Sequence, residues 1–339
     1  MKFKFTVLLL LICIIGLFAD DDLSGTLEKL YGESAKAYLK PAVTGFGAAQ
    51  NSGWFFKAPQ DDLVALDVAL RFIVNVATLD GDKTFSVKAP VKLSGEQADM
   101  MLSETSLTPA EKDIAKTQLM NGEMDVVVSG PTIIGSNKDK VKVRGEYDGH
   151  ELTEIELDGT QGLDIPALPL VTPQLTVGTA FGTNLTFRFI PDMEISEDMG
   201  DFKYFGFGIQ HNPLYWIPDP LPVDVAASYF YQSLKIGSNL ESSAWNLGVN
   251  ASKTVGTIIA SVTPFAGLSI GGSNLDVSYN YEISDEEEEK ISFDLDGKND
   301  VTLTLGANLR LAVFDLSGEY NISNESNSFS FGLGAGFTF

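Results

Sequence analysis

The sequence predicts an all-β fold, a transmembrane outer-membrane antiparallel β-barrel of about 12–14 strands, 14 being preferred, with a short N-terminal helical plug or cap. Three observations lead to this prediction. Apolar and polar residues alternate over long segments, a basic and then apolar run opens the chain, and an alternating strand with a final aromatic residue closes it. A mean hydropathy of +0.06 with one long apolar run excludes a helical membrane protein, which needs several runs of roughly 20 apolar residues.

The first element is a signal peptide, assigned to residues 1–19. Lys2 and Lys4 precede the apolar run Phe5–Phe18, and a small residue follows before an acidic start. This order is typical of a cleaved secretory signal, and a retained membrane anchor is the alternative reading. The chain's one cysteine, Cys13, lies in this run, so we expect no disulfide after cleavage. Export together with the strand pattern predicts localisation in a bacterial outer membrane.

Residues 20–60 form the second element. Apolar residues near helical spacing predict a short amphipathic helix before Pro41. The stretch Thr44–Pro59, TGFGAAQNSGWFFKAP, is rich in small residues and ends in an aromatic group. That aromatic group is Trp54, Phe55 and Phe56. Two readings stay open, a plug folded into the lumen and a helix covering the periplasmic mouth of the barrel.

The barrel is assigned to residues 61–339, with a mixed insertion near 83–165. Within the insertion, a capping box predicts a helix over Pro109–Asn121 between strands near 83–90 and 124–134. Gly271–Ser273 is predicted as a tight inner turn and Ser284–Asp300 as a long, acidic outer loop. The wall strands predicted by alternation are Val64–Ala77, Val171–Phe181, Asn184–Pro191, Asp201–Gln210, Pro222–Ile236, Ser243–Ser252, Ile258–Ile270, Leu275–Ile283, Val301–Val313, Phe314–Ile322 and Phe329–Phe339.

Each predicted wall strand has one apolar and one polar face. The apolar face is expected to meet lipid and the polar face to line the lumen. The charged candidates for the lumen lining, which would bind a solute or pair with one another to brace the barrel, are Asp67, Arg71, Arg188, Arg310, Asp315 and Glu319.

Aromatic residues mark two further candidate sites. Tyr215 and Trp216 lie in a connection rich in aromatic residues and proline. They are predicted to form part of an aromatic belt at the membrane interface. The alternative is that they form, with residues 54–56, the lip through which a ligand enters. Phe337 and Phe339 are predicted to act as the signal that the barrel assembly machinery recognises. The strand that carries them is expected to close the barrel against an early strand.

Charge and histidine content restrict the partners and the chemistry. With 46 acidic against 23 basic residues the net charge is −23, which repels nucleic acid, so no nucleic-acid partner is predicted. The expected partners are outer-membrane lipid, the assembly machinery and a small hydrophobic solute. Two histidines exclude most histidine-based metal sites. We predict no metal, no cofactor and no enzymatic activity, although a Ser–His hydrolase using His211, Asp201 and Ser228 is left open.

Three stretches resemble an uncharacterised family of secreted barrels from diderm bacteria. They are AVTGFGAAQNSGWF (Ala42–Phe55), LTVGTAFGTNLTFRFIP (Leu175–Pro191) and DFKYFGFGIQHNPLYWIPDPLPVDVAASYFYQSL (Asp201–Leu234). That family is distantly similar to the FadL-type long-chain fatty-acid transporters. The resemblance implies an outer-membrane barrel, and residues 20–60 correspond in position to the luminal plug of the transporters. The short Asn-Pro-containing signature of the transporters is absent.

The expected function is therefore passive uptake of small, hydrophobic solutes through the barrel. Two alternatives are a general diffusion porin and a structural or adhesion barrel that conducts nothing. Apolar residues clustered inside the lumen would favour the first function, and an unobstructed ring of charges would favour the porin.

Overall fold

The computed structural model describes residues 21–60, 66–91, 94–95, 98–99, 102, 107–121, 124–147, 150–157, 160–179, 181–196, 200–217, 221–238, 240–257, 259–284, 287–298 and 300–338. The predicted signal peptide, residues 1–19, and Phe339 lie outside these residues. In chain order the elements are α1 (Asp21–Asn51), β1 (Asp67–Thr78), β2 (Thr84–Val91), α2 (Pro109–Asn121), β3 (Met124–Pro131), β4 (Val141–Tyr147), β5 (His150–Leu157), β6 (Ala167–Thr179), β7 (Thr183–Ser196), β8 (Gly200–His211), a 3-10 helix (Pro213–Trp216), β9 (Asp224–Ile236), β10 (Leu240–Ser252), β11 (Val255–Gly256), β12 (Ala260–Ser284), β13 (Glu287–Gly297), β14 (Val301–Leu311), β15 (Phe314–Ser323) and β16 (Ser328–Thr338).

Ten strands of the described residues form a closed antiparallel barrel. Around the ring they follow the order β1, β6, β7, β8, β9, β10, β12, β14, β15 and β16, and β16 pairs with β1. Asp67 stands opposite Thr338 and Ala77 opposite Ser328, so the last strand closes the barrel against an early one. Strands β11 and β13 pair with β12 outside this ring.

The predicted count of 14 strands is wrong, for two reasons. The predicted strands Ile258–Ile270 and Leu275–Ile283 are not joined by a turn at Gly271–Ser273, because residues 260–284 form the single strand β12. The glycines there permit a close approach of β10: a Cβ on Gly271 would lie 2.7 Å from the backbone oxygen of Trp245. In addition, the strands within residues 83–165 form a separate sheet and add nothing to the wall.

The wall strands bury one face and expose the other. On β1 the side chains of Ala69, Arg71 and Ile73 are buried, whereas Leu70 and Phe72 are 52% and 59% exposed. The same alternation recurs on β8, β9 and β10. Because an apolar surface of this extent is unstable in water, it is the surface that lipid covers in a membrane-spanning barrel. Among the described residues, no helix has the length and apolar character needed to cross a membrane.

The barrel has two ends that differ in their connections. The proximal end contains Asp67 at the start of β1 and Thr338 at the end of β16. The distal end contains Thr78, where β1 finishes, and Ala167, where β6 begins. Since neighbouring strands are antiparallel, every connection between consecutive wall strands lies at one of these two ends.

The chain divides into two compact units, and the barrel belongs to the one made of Ala42–Gly81, Pro166–Tyr279 and Asp294–Phe339. The other contains residues 21–41, Asp82–Ile165 and Asn280–Phe293. Helix α1 therefore contributes residues to both units. It continues through Pro41, where the sequence predicts its end. The stretch Ser284–Asp300, predicted as a loop, contains β13.

In the smaller unit, strands β2 to β5 form a four-stranded antiparallel sheet. Leu30 of α1 packs on Val128, Val141 and Leu157 of that sheet. Helix α2 begins at the predicted capping box. Glu111 accepts hydrogen bonds from the side chain and backbone of Thr108, and these bonds lower the pKa of the Glu111 carboxyl. The carboxylate is thereby stabilised at the positive end of the helix.

Candidate functional site, the occupied barrel lumen

Residues 42–59, called the lumen segment below, lie inside the barrel. The Oγ of Ser52 lies 2.5 Å from the Oγ of Ser328 on β16. The backbone N–H of Ala58 donates to the Oγ of Ser252 on β10 at 2.9 Å. These two strands stand on opposite sides of the closed ring, and both side chains are buried. The segment can reach both walls only from within.

The first half of the lumen segment is the last part of α1, and its small side chains let a helix fit beside the wall. A Cβ on Gly45 would lie 2.2 Å from Cδ2 of Leu79, and one on Gly47 would lie 1.9 Å from the Oγ of Ser273. Ala49 is fully buried against neighbouring wall residues. A helix with ordinary side chains is about 10–12 Å wide, so a stretch of small residues is needed in so narrow a barrel.

Arg188 binds the end of this helix. Its Nη1 donates to the carbonyl of Gln50 at 3.2 Å and its Nη2 to the carbonyl of Ser52 at 2.7 Å. Its Nε donates to the Oε1 of Gln174 at 2.9 Å. A cation at a helix C-terminus satisfies carbonyls that have no helical partner and interacts favourably with the helix dipole. Glu319 complements it by accepting the backbone N–H of Gly53 at 2.6 Å.

Gly53 makes the turn that follows the helix. Its φ of +72° is a left-handed conformation, and a Cβ there would lie 2.5 Å from both Asn75 Oδ1 and Ile73 Cγ2. We expect Gly53→Ala to destabilise the folded barrel by about 1–3 kcal/mol, because the backbone strain and the clash act together. Urea unfolding in detergent micelles measures the change.

Gly32 provides the matched control, since it lies in the same helix and a Cβ there meets no atom within 4 Å. Gly32→Ala is expected to be neutral or to stabilise the helix by up to about 1 kcal/mol. Equal effects of the two substitutions would contradict the role assigned to Gly53.

Three aromatic residues fill the lumen after this turn. The ring of Trp54 stacks on Phe230 with centroids 5.0 Å apart, and the guanidinium carbon of Arg188 lies 3.9 Å from the Trp54 ring centroid. Phe55 contacts Phe265 edge-to-face with centroids 5.1 Å apart. All three aromatic residues of the segment are at most 5% exposed. Their burial contributes roughly 5–9 kcal/mol in total, at about 1.5–3 kcal/mol for each side chain.

Charged residues at the proximal half of the lumen form a buried network. Arg310 donates from Nη2 to Asp315 Oδ2 at 3.0 Å, and its Nη1 lies 3.5 Å from Asp67 Oδ1. Lys57 of the lumen segment binds Asp67 at 2.5 Å. Arg71 lies 3.2 Å from Asp315 through Nη2. The network joins the segment to β1, β14 and β15.

Arg71 is the least satisfied member of the network. It is 0% exposed, and none of its guanidinium nitrogens makes a hydrogen bond within the described residues, although its distance to Asp315 is that of an ion pair. The ring centroid of Phe56 lies 3.5 Å from its guanidinium carbon. A cavity lined by Arg71, Phe56 and Glu319 has room for about one water molecule. Such a water would supply an acceptor to Arg71.

The structure thus places all six charged lumen candidates, together with residues 54–56, inside the barrel. Tyr215 and Trp216 lie apart, on the 3-10 helix that follows β8. Trp216 is 66% exposed, and its Nε1 donates to the Nε2 of His211 at 3.2 Å. Phe337 is exposed on β16, so its side chain is accessible outside the lumen.

The hydrolase arrangement considered from the sequence is not assembled. His211 and Asp201 stand at opposite ends of β8, about 33 Å apart at roughly 3.3 Å per residue. Ser228 donates to the carbonyl of Gly248 and accepts from Asn250. Among the described residues, these three groups therefore make no catalytic triad.

Several residues that bind the lumen segment were not singled out from the sequence. In the sequence they could have been recognised by their position on the lumen-facing side of the alternating strands, which is also the position of the charged candidates. Asn212 is the exception, because it follows a strand and donates to the carbonyl of Pro59 at 2.8 Å. The uncharged wall residues in contact with the segment or with Arg188 include Gln174, Phe230, Gln232, Ser242, Ser252, Phe265 and Ser328.

Comparison with known proteins gives a family match. The model of a family described as "Family of unknown function (DUF6588)" matches residues 1–337. No curated protein matches the chain. This match confirms the resemblance to a family without an assigned function, while the distant similarity to fatty-acid transporters stays a prediction.

Solved structures with some likeness to the chain include three bacterial proteins. The N-terminal β-barrel domain of OprF from Pseudomonas aeruginosa has a TM-score of 0.21 and 15% identity, covering 46% of this chain and 94% of that one. Ail from Yersinia pestis has a TM-score of 0.23 and 11% identity, covering 46% and 96%. The outer membrane protease OmpT from Escherichia coli has a TM-score of 0.31 and 9% identity, covering 83% and 100%. At such TM-scores these likenesses carry no argument, and the fold rests on the strand pairing described above.

Proposed function

The chain belongs to the family of unknown function DUF6588, and from the geometry of the lumen we propose that it is an outer-membrane barrel closed by its own lumen segment. The observation that supports this proposal is the burial of residues 54–56 against the inner wall. The two cavities found beside the segment each have room for about one water molecule. A solute larger than water would pass only after the segment moves.

The substrate class that we propose is small hydrophobic solutes, taken up passively. Phe55 and Phe56 cluster with Ala58 of the segment and with Ala226 and Phe265 of the wall. Movement of the segment would expose this apolar surface inside the barrel, where an apolar solute could replace the contacts that were lost. The other expected partners are membrane lipid on the exposed apolar face and the assembly machinery at the final strand. We propose no enzymatic activity and no cofactor.

A second candidate is a structural barrel that never opens. It is favoured by the ion pair of Lys57 with Asp67, because movement of the segment would break this pair and leave a largely buried charge unpaired. A general diffusion porin would require a lumen free of the segment. Its supporting observation is the polar character of the inner wall, where Gln174, Gln210 and Gln232 are buried.

A reversible covalent link between Ser52 and Ser328 tests whether the segment must move. Their Oγ atoms are 2.5 Å apart, so a disulfide between cysteines at these positions needs little backbone movement. In planar bilayers we expect the wild-type chain to be closed with rare openings. The open fraction should be below about one in a thousand, because roughly 5–9 kcal/mol of aromatic burial opposes movement. The oxidised Ser52→Cys/Ser328→Cys variant should show no openings, and reduction should restore them.

The two single-cysteine variants are the controls, since neither can form the link. Openings that persist in the oxidised double variant would overturn a gate made by the segment. Steady conductance of the wild-type chain would instead make a porin the working model, and silence under all conditions would favour the structural barrel.

A further inference from the structure

The lumen segment runs through the barrel in a definite direction. At its beginning, Gly45 lies against Leu79, which follows the distal end of β1. At its end, the carbonyl of Pro59 accepts the side-chain amide of Asn212, which follows the proximal end of β8. Lys57 also binds Asp67, the first residue of β1. The chain therefore enters the lumen at the distal end and leaves it at the proximal end.

This direction is the reverse of what a helix covering the periplasmic mouth requires. If a helix covered the periplasmic mouth, the residues before the lumen segment would lie at the proximal end, where β1 begins. In the structure the lumen segment itself begins at the opposite end, because it crosses the whole lumen before β1 starts. Residues 52–59 are not helical, and they run from Ser328 at the distal end of the wall to Asn212 at the proximal end.

The lengths of the connections indicate which end faces outward. At the proximal end, the connections between consecutive wall strands have 2 to 12 residues, the longest being residues 212–223 between β8 and β9. At the distal end, residues 79–166 separate β1 from β6, and β12 continues to Ser284, past its last β14 partner at Ile270. Bacterial outer-membrane barrels have short periplasmic turns and longer extracellular connections. The distal end is accordingly the outer one.

We infer that the residues preceding Ala42 are displayed on the cell surface, with the chain passing through the lumen of its own barrel to reach them. This inference rests on the outer-membrane placement in the proposed function and is independent of whether the barrel conducts. The exposed side chain of Glu33 would then be accessible to molecules outside the cell. A ligand that binds the residues preceding Ala42 would act directly on the segment that closes the lumen.

Single cysteines report the side of the membrane. In a full-length chain with Cys13→Ser, the reporters are Glu33→Cys before the segment, Glu325→Cys in the distal connection of β15 and β16, and Lys253→Cys after β10 at the proximal end. All three native side chains are exposed. Intact diderm cells are treated with a maleimide that does not cross membranes, and the same labelling is repeated after the outer membrane is permeabilised.

We expect Glu33→Cys and Glu325→Cys to be labelled on intact cells, and Lys253→Cys to be labelled at least tenfold less until the membrane is permeabilised. If Glu33→Cys is labelled under the same conditions as Lys253→Cys, and not under those that label Glu325→Cys, the passage through the lumen is overturned. Labelling of Lys253→Cys alone on intact cells would overturn the outward placement of the distal end. A chain missing from the outer-membrane fraction would overturn the proposed function as well, and fractionation separates that case from the others.

Discussion

Replacing Trp54, Phe55 and Phe56 together by alanine is expected to convert a closed barrel into one that conducts ions for most of the recording. The three side chains fill the lumen between β1, β9 and β12, and each is almost completely buried. Their removal eliminates most of the roughly 5–9 kcal/mol that opposes movement of the segment. The space they leave borders the guanidinium groups of Arg71 and Arg188, which would draw water into it. Single-channel recording in planar bilayers measures the result.

The matched control removes the same three side-chain types from the lipid-facing surface. Trp245, Phe205 and Phe207 are 41%, 48% and 38% exposed on the outer face of the wall. Their replacement by alanine changes the aromatic content equally and leaves the lumen filled, so this variant should stay closed. A folded lumen variant that remains silent would show that the wall closes without the aromatic residues and would favour the structural barrel.

Comparison of the wild-type chain with the conducting variant distinguishes the proposed solutes. Proteoliposomes that contain either chain can be offered a small apolar fluorophore and, separately, a monosaccharide of similar size, and the open variant should admit both. If apolar solutes are the natural substrates, the wild-type chain should admit the fluorophore slowly and the sugar not at all. Equal entry of both solutes through the wild-type chain would contradict the proposed substrate class.

Alternation predicted the wall well because it depends on a local rule. On β1 and β16 each residue's face follows from its neighbours, and the sequence alone placed Arg71 and Asp67 on the inner side. The strand count depended on whether Gly271–Ser273 was a turn. A glycine pair is compatible both with a turn and with the close approach of a neighbouring strand. In the structure the backbone of Trp245 on β10 lies close to Gly271, so the pair belongs to a continuous strand.

The contacts inside the lumen could not be predicted in the same way. Which inward residues meet across the barrel depends on the number of strands and on their stagger, so an error in strand count changes every opposite pair. Arg188 illustrates this limit. Its inward phase was readable from the sequence, but its bonds to the carbonyls of Gln50 and Ser52 depend on where the helix ends inside the barrel.

Asp315→Asn is expected to destabilise the folded barrel by about 3–5 kcal/mol, because it leaves the buried guanidinium of Arg71 without its ion-pair partner. Asp315 is 0% exposed and binds both Arg71 and Arg310. The asparagine side chain keeps the size and loses the charge, so the change isolates the electrostatic contribution. Urea unfolding in detergent micelles, followed by tryptophan fluorescence, measures the difference in free energy of unfolding.

Asp192→Asn is the matched control, since it makes the same chemical change in an exposed pair. Asp192 lies 2.8 Å from Lys203, and both side chains are more than half exposed. Water screens this pair, so the control should lose no more than about 1 kcal/mol. Arg71→Met combined with Asp315→Leu removes both charges and should recover much of the loss, because no buried charge is then left unpaired. If Asp315→Asn costs no more than the control, water reaches Arg71 in the folded barrel, and the lumen is more hydrated than its packing indicates.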